Sequence, residues 1–341
     1  ARARPGLPAN LVVEVLPRRT LQRAVPEAAC FVVPRVTSWE AFRAARRSRQ
    51  VDWTTLEERR AAAVFLPGDV SPQEARDCLH EEIAQALGPL NDLYRLHESV
   101  FNDDNFHAVL TGFDMLMLRI TYDPALQSGL SRAEVASRLP GVLARLNPRG
   151  AGGSGPLDAP TPRDWARAIE TALGPRGRGA TRRAAAREAV EIADREGWRD
   201  GRRAFSLYVY GRLALGEEPE QALQAFLEAA SLYADRPEMA VQRAHVGMQL
   251  AAFSLTAGQL DAAVAIVDAH AGTVRDAENA ALLATLLLIK AEALAAGGET
   301  ARAEAVRREA LGWARYGFGA DEIVRARAGE IARLAPRAAE G

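Results

Sequence analysis

Three stretches in the second half of the chain share one shape, and no other feature restricts the fold as strongly. "LALGEEPEQALQAFLEAA" (213–230), "LTAGQLDAAVAIVDAHA" (255–271) and "LAAGGETARAEAVRREAL" (294–311) each run from an apolar helix through a turn glycine into an alanine-rich second helix. The glycines are Gly216, Gly258 and Gly298, and the alanines Ala222, Ala263 and Ala303 fall 41 and 40 residues apart. Glycine permits the tight turn between helices, and small alanines let paired helices approach. One hairpin cannot bury its apolar face alone, so stacked copies share a core. From about 162 to 337 apolar residues recur at i, i+3 and i+4, which predicts an all-helical half. A fainter copy is expected around Gly179 and Ala184. A plain helical bundle with coincident glycines is the alternative.

The array resembles tetratricopeptide repeats, whose period is about 34 residues. The longer spacing here implies longer helices or loops. Arrays of this kind present a long surface to peptides or proteins. Aromatic and arginine side chains are the usual anchors of such surfaces, which nominates Tyr208, Tyr210, Arg212, Trp313 and Tyr316, with Phe205, Arg315 and Phe318 nearby. The same aromatics could instead fill the space between helices.

"NPRGAGGSGPLDAPTP" (147–162) separates this half from a different one. Its Gly, Pro, Ser and Ala carry no apolar period, so residues 148–161 read as a flexible linker between domains 1–147 and 162–341. The first half mixes element types. "NLVVEVLP" (10–17), "CFVVP" (30–34) and "AAAVFLP" (61–67) are short apolar runs bounded by proline and predict strands. "SWEAFRAARRSR" (38–49) predicts a helix with Ser38 as N-cap. In 71–88, Ser71 caps, Pro72 fills the first turn, Glu74 completes the capping pattern and Gly88 stops the helix. Further helices are expected over 111–126 and over 131–146, the latter kinked or broken near Pro140.

The helix over 71–88 carries "HEEIAQALGPLND" (80–92), close to the zinc-protease signature H-E-x-x-H-x-x-G-x-x-H. With His80 as first ligand, position 84 should be the second, but it holds Ala84. Gln85 lies off that face of the helix. Counting back from Gly88 fits every spacing instead. That register puts Glu81, Gln85 and Asn91 where the ligands would stand and Glu82 where the general base would stand, with no histidine. Gly88, Asp92, Asn102 and Asp103 are the supporting positions, and Asp104 could add charge.

Three segments make accident a poor explanation. "AVFLP" precedes the helix, as the edge strand does in zincin proteases. "ESVFNDDN" (98–105) is similar to the Met-turn region of metzincins, with Phe101 in place of methionine. "LTGFDMLMLRITYDP" resembles the C-terminal helix of matrixin-like domains. Together, "CLHEEIAQALGPLND", "SVFND" and "DMLMLRITYDPALQSGLSRAE" resemble a bacterial family known as domain of unknown function 2927, over roughly residues 10–147. The resemblance implies an α+β zincin-like fold and no established activity. Zinc prefers imidazole and thiolate, and catalysis needs three good ligands plus an open position. A Glu/Gln/Asn set suits calcium or magnesium better, and neutral amides lower the pKa of a bound water little. Three readings stay open: a buried hydrogen-bond network left from a ligand cluster, a hard-cation site, and a retained enzymatic site. His97 and His107 flank the loop within reach of that site.

Charge narrows the partners. With 43 basic and 44 acidic residues the chain has no basic excess for nucleic acid. "RAARRSRQ" (43–50) reads as a solvated helix face, and Lys290 is the only lysine. No apolar run approaches the ~20 residues of a membrane span. Cys30 and Cys78 fit one disulfide or two buried thiols. We expect the disulfide, because the only two cysteines lie in one domain, in elements that should pack together, of a chain read as exported: it starts at Ala1 as a mature form after leader removal would, although a shortened chain would start the same way. The expectation is an exported, periplasmic two-domain factor. It is a non-catalytic scaffold or adaptor of an envelope or surface-appendage assembly, holding no cofactor and binding proteins through its helical repeats. A metal-dependent, peptidase-like hydrolase with non-histidine ligands and a cytosolic repeat-containing regulator are the alternatives.

Overall fold

A computed structural model describes residues 9–150, 159–175 and 177–336. The three proline-bounded runs form one sheet: β1 (Leu11–Leu16), β2 (Phe31–Pro34) and β3 (Ala62–Pro67), in the order β1-β3-β2. β3 pairs parallel with β1 and antiparallel with β2. "AVFLP" is therefore the central strand, not the edge strand. All six residues of β3 are buried, as a continuous apolar run requires when both faces and both edges are covered.

Each sheet face has its own core. On one side Val33, Ala63 and Phe65 pack with Leu21 of α1 (Arg18–Ala24) and with Trp39 and Phe42 of α2 (Trp39–Ala45). The Phe31, Trp39, Phe42 and Phe65 rings lie within 6.4 Å of one another, centroid to centroid. On the other side Val32, Val64 and Leu66 meet Cys78 and Ala86 of α3 (Pro72–Leu87). Ser38 and Ser71 cap their helices by accepting from Ala41 N and Glu74 N. α2 ends at Ala45, four residues short of the expected span, and Ser48 caps a short 3₁₀ turn instead. α4 (Gly112–Thr121) also ends early, while α5 (Arg132–Leu146) runs unbroken through Pro140.

From Arg163 the described residues are helical apart from connecting turns. Four hairpins follow one another: α6 (Arg163–Leu173) with α7 (Gly179–Arg195), α8 (Gly201–Ala214) with α9 (Pro219–Tyr233), α10 (Ala240–Thr256) with α11 (Leu260–Asp276), and α12 (Ala280–Ala296) with α13 (Thr300–Phe318). α14 (Asp321–Ala332) closes the end against α12 and α13. The second helices begin 40, 41 and 40 residues apart. Ala222, Ala263 and Ala303 are all buried at their fourth positions. Gly258 and Gly298 take φ +72° and +82°, the left-handed turn that glycine makes without strain. The first hairpin departs from the expected copy: Gly179 opens α7 rather than the turn, Ala184 is exposed, and the next two alanines, Ala185 and Ala186, are buried.

The linker lies partly outside the described residues; of its flanks, Pro148–Gly150 form a 3₁₀ turn and Ala159 O accepts from Arg202. The two halves pack on each other. Phe106 sits 5.6 Å from Phe205 and 5.3 Å from Tyr208, ring centroid to centroid, and Tyr94 meets Trp165 edge-on at 4.9 Å. Gln242 donates to His97 O at 2.6 Å. Gln73 donates to Asn279 and accepts from Ala281 N. Arg76 pairs with Glu278 and lies 5.4 Å over the Tyr316 ring. Most of these partners belong to the first helices of the hairpins or to the turn just before α12. The α+β half thus occupies the array face made by α6, α8, α10 and the start of α12.

Candidate functional site

α3 carries the motif, and its geometry separates the two registers. His80 turns away from the cleft, and its Nδ1 accepts from Leu110 N at 3.2 Å. Glu82 and Gln85 are buried, and Glu81 stands between them half-buried. These three line a cleft of about 400 Å³ with Glu27, Phe31, Val32, Trp53, Leu90, Asp92, Asp103 and Asn105. Asn91 is exposed and does not line it, whereas Asp92 does. Gln85 Nε2 donates to both Asp92 oxygens at 3.0 and 3.1 Å. Val32 N, on the edge strand β2, donates to the Glu82 carboxylate. The other oxygen, Glu82 Oε2, is buried and has no partner among the described residues.

The loop after α3 is held by its own polar groups. Asn102 is buried, donates to Leu96 O and accepts from Asp104 N. Asp114 on α4 accepts from Ser99 Oγ, Val100 N and Thr111 N. Thr111 and Asp114 form a capping box that the T-x-x-D spacing could have announced. Phe101 is buried against Ala84 of α3, below the motif. Asp103 reaches the cleft rim, whereas Asp104 turns inward to Phe106 N and Gln242. His97 and His107 do not line the cleft. His107 is bonded to His97 O, and the His97 ring packs against Gly201 of α8.

Burial and mutual repulsion set the electrostatics. Burial first, then Asp92, Asp103 and Asp77, push Glu81 up to about 8. Burial, Glu81 and Asp92 push Glu82 to about 8, against the Val32 N–H. Burial and Asp103 raise Asp92 to about 6, against the Gln85 amide. No arginine, lysine or histidine is among the described residues lining the cleft.

A zincin-like fold implies zinc, and the residues present do not fit it. The donors are oxygens only, Gln85 offers a neutral amide, and no three His, Cys, Asp or Glu side chains converge on one point among the described residues.

The remaining nominated residues lie elsewhere. Cys30 and Cys78 form a disulfide that ties the start of β2 to α3. Tyr208 is buried beneath Phe106; Tyr210 bonds to Glu218; Arg212 is exposed and near the Tyr208 ring; Trp313 is half-buried between α12, α13 and α14; Tyr316 faces Arg76. Trp53 and Glu27 were not foreseen as cleft walls, since loops with no motif bring them in. No helix among the described residues is long and apolar enough to cross a membrane. Neither the curated proteins nor the solved structures contain a match to the chain. Residues 3–141, which hold the sheet, the motif helix and the acidic cleft, match a family model described as Protein of unknown function (DUF2927).

Proposed function

We propose that this chain is a non-catalytic, exported adaptor that binds protein partners in a bacterial envelope or surface-appendage assembly. Its first half is read as a zincin-like domain whose metal chemistry has been lost, and its second as a tetratricopeptide-like array. One observation carries the reading: at the ligand positions of the motif stand Glu81, Gln85 and an exposed Asn91, and Gln85 is bonded to Asp92. A neutral amide or an exposed one is a poor zinc ligand, and an oxygen-only set neither holds zinc tightly nor makes its bound water a strong nucleophile. The antiparallel edge strand beside the motif helix, with Phe101 beneath it, supports the zincin-like part. The Cys30–Cys78 disulfide supports export, because such bonds persist in oxidising compartments. The first half already covers one face of the helical array and reaches the end of α13 through Arg76 and Tyr316, so partners of the array meet the outer helices α7, α9 and α11.

The test is metal content together with peptide hydrolysis. Purified protein is expected to retain far less than one zinc per chain after dialysis and to leave casein intact. Stoichiometric zinc that survives dialysis, with cleavage, sinks the reading. A hydrolase is the second reading, favoured by Glu81 and Glu82: carboxyls raised to about 8 in a cleft are the kind of group that serves as acid or base near neutral pH.

A further inference from the structure

We propose that the cleft over α3 receives the guanidinium of an arginine residue carried by a polypeptide partner. This rests on reading the chain as a protein-binding adaptor and names what its cleft binds. Glu81, Glu82, Asp92 and Asp103 line the cleft together, and no basic side chain is among the described residues that line it. Glu82 is only 5% exposed, lines this space, and leaves Oε2 buried without a hydrogen bond among the described residues. Leaving a buried carboxylate oxygen unpaired is costly, and a donor arriving with a positive charge removes that cost. An incoming cation also offsets the burial and the mutual repulsion that together hold Glu81, Glu82 and Asp92 above their ordinary range.

The shape of the cluster selects the cation. A metal ion needs several ligands within about 2.0–2.6 Å of one point. No three acidic groups among the described residues meet that condition. A guanidinium carries five N–H donors on a rigid plane and can bridge carboxylates that do not converge. An ammonium is a compact point charge and reaches fewer of them. The surroundings select a polypeptide over a free small molecule. Trp53 and Leu90 are shared with an adjoining trough of about 840 Å³, whose walls include Leu56, Leu87, Tyr122 and Leu126. Leu87 and Tyr122 are 40% and 61% exposed there. Residues flanking the arginine would lie along this trough, where Glu57, Glu58, Arg59 and Gln127 alternate with the apolar walls.

The experiment is a calorimetric titration of the full chain with the peptide Ac-Leu-Leu-Arg-Leu-Leu-NH₂. The same peptide with lysine, the same peptide with citrulline, free agmatine, calcium and zinc are the comparators. The arginine peptide is expected to bind at least about tenfold more tightly than the citrulline peptide, the equivalent of one charge-assisted hydrogen bond. It should also bind more tightly than agmatine, which lacks the flanking residues. Glu82→Gln keeps an acceptor for Val32 N and should weaken the arginine peptide by about tenfold. Asp103→Asn, on the exposed rim, should weaken it about threefold without disturbing the fold. Equal binding of arginine and citrulline peptides, or no binding, overturns the proposal but leaves the non-catalytic reading standing. Calcium or zinc bound in place of the peptide and lost in Glu82→Gln overturns it in favour of a metal. If the arginine peptide binds and is cleaved, the occupant stands and the non-catalytic reading falls.

Discussion

Gln85 donates to both carboxylate oxygens of Asp92, and Asn91, the neighbour that the motif spacing nominates, points to solvent. The loop after Gly88 therefore brings residue 92 into the cleft. Histidines at 81, 85 and 91 should not make a zinc site: E81H/Q85H/N91H is expected to bind zinc no more tightly than E81H/Q85H. Moving the third histidine to 92, in E81H/Q85H/D92H, should tighten zinc by about tenfold or more. Competition with a chromogenic chelator measures both, and equal affinities for the two triple variants would refute the geometry.

Glu81 and Glu82 make stability fall as pH rises. Both have folded pKa values near 8, above the ordinary 4.5, so folding favours their protonated forms. Their contribution is fully present below about pH 4.5 and is lost as pH climbs through 8. Glu82→Gln cannot ionise. At pH 9 its Tm should exceed that of the parent by about 4 °C or more, and the gap should close by pH 5. A gap independent of pH would show that Glu82 does not titrate in this range.

Docking of the halves gives a third prediction. Phe106 is buried between Phe205, Tyr208 and the His245 ring, so Phe106→Ala should cost about 3–5 kcal/mol in chemical unfolding. Gly201→Ala would drive a methyl group to 2.5 Å from His97 Nδ1 and 3.2 Å from Met239 Cε, and loosen the docking. Fragments 1–147 and 162–341, mixed, are expected to associate, and either substitution should weaken that association. Fragments that ignore each other in sedimentation would contradict the interface.

The disulfide gives a fourth. Cys30 and Cys78 are 48 residues apart, and closing a loop of that length stabilises the fold by about 4 kcal/mol in the chain-entropy model. Replacing both with serine should lower Tm by about 8 °C or more. Thiol titration of the unreduced, denatured protein should find none; two free thiols would remove this support for export.

The strands, Ser38 and Ser71 as caps, the stop at Gly88 and the 40-residue hairpin period were all legible in sequence, because each depends on neighbours within a turn or two. The same locality explains the errors. "AVFLP" reads as a strand from its six residues, but whether a strand is central or at an edge depends on what pairs with it. Tyr208 reads as a surface anchor until Phe106, from the other half, is seen to cover it.

The sequence by itself determined element types, the change from mixed to all-helical structure near residue 150, and the absence of histidine at positions 81, 85 and 91. Periodicity, capping and spacing are properties of short segments. Only the tertiary structure decided that the α+β half lies on the first helices of the array, that Asp92 rather than Asn91 faces Gln85, and that Glu27, Trp53 and Asp103 join Glu81 and Glu82 around one cleft. Those residues are distant in the chain or lie on loops without a repeating pattern. What joins them is packing: the loop after α3 is held to α4 by Asp114 and pressed onto the helical array by Phe106.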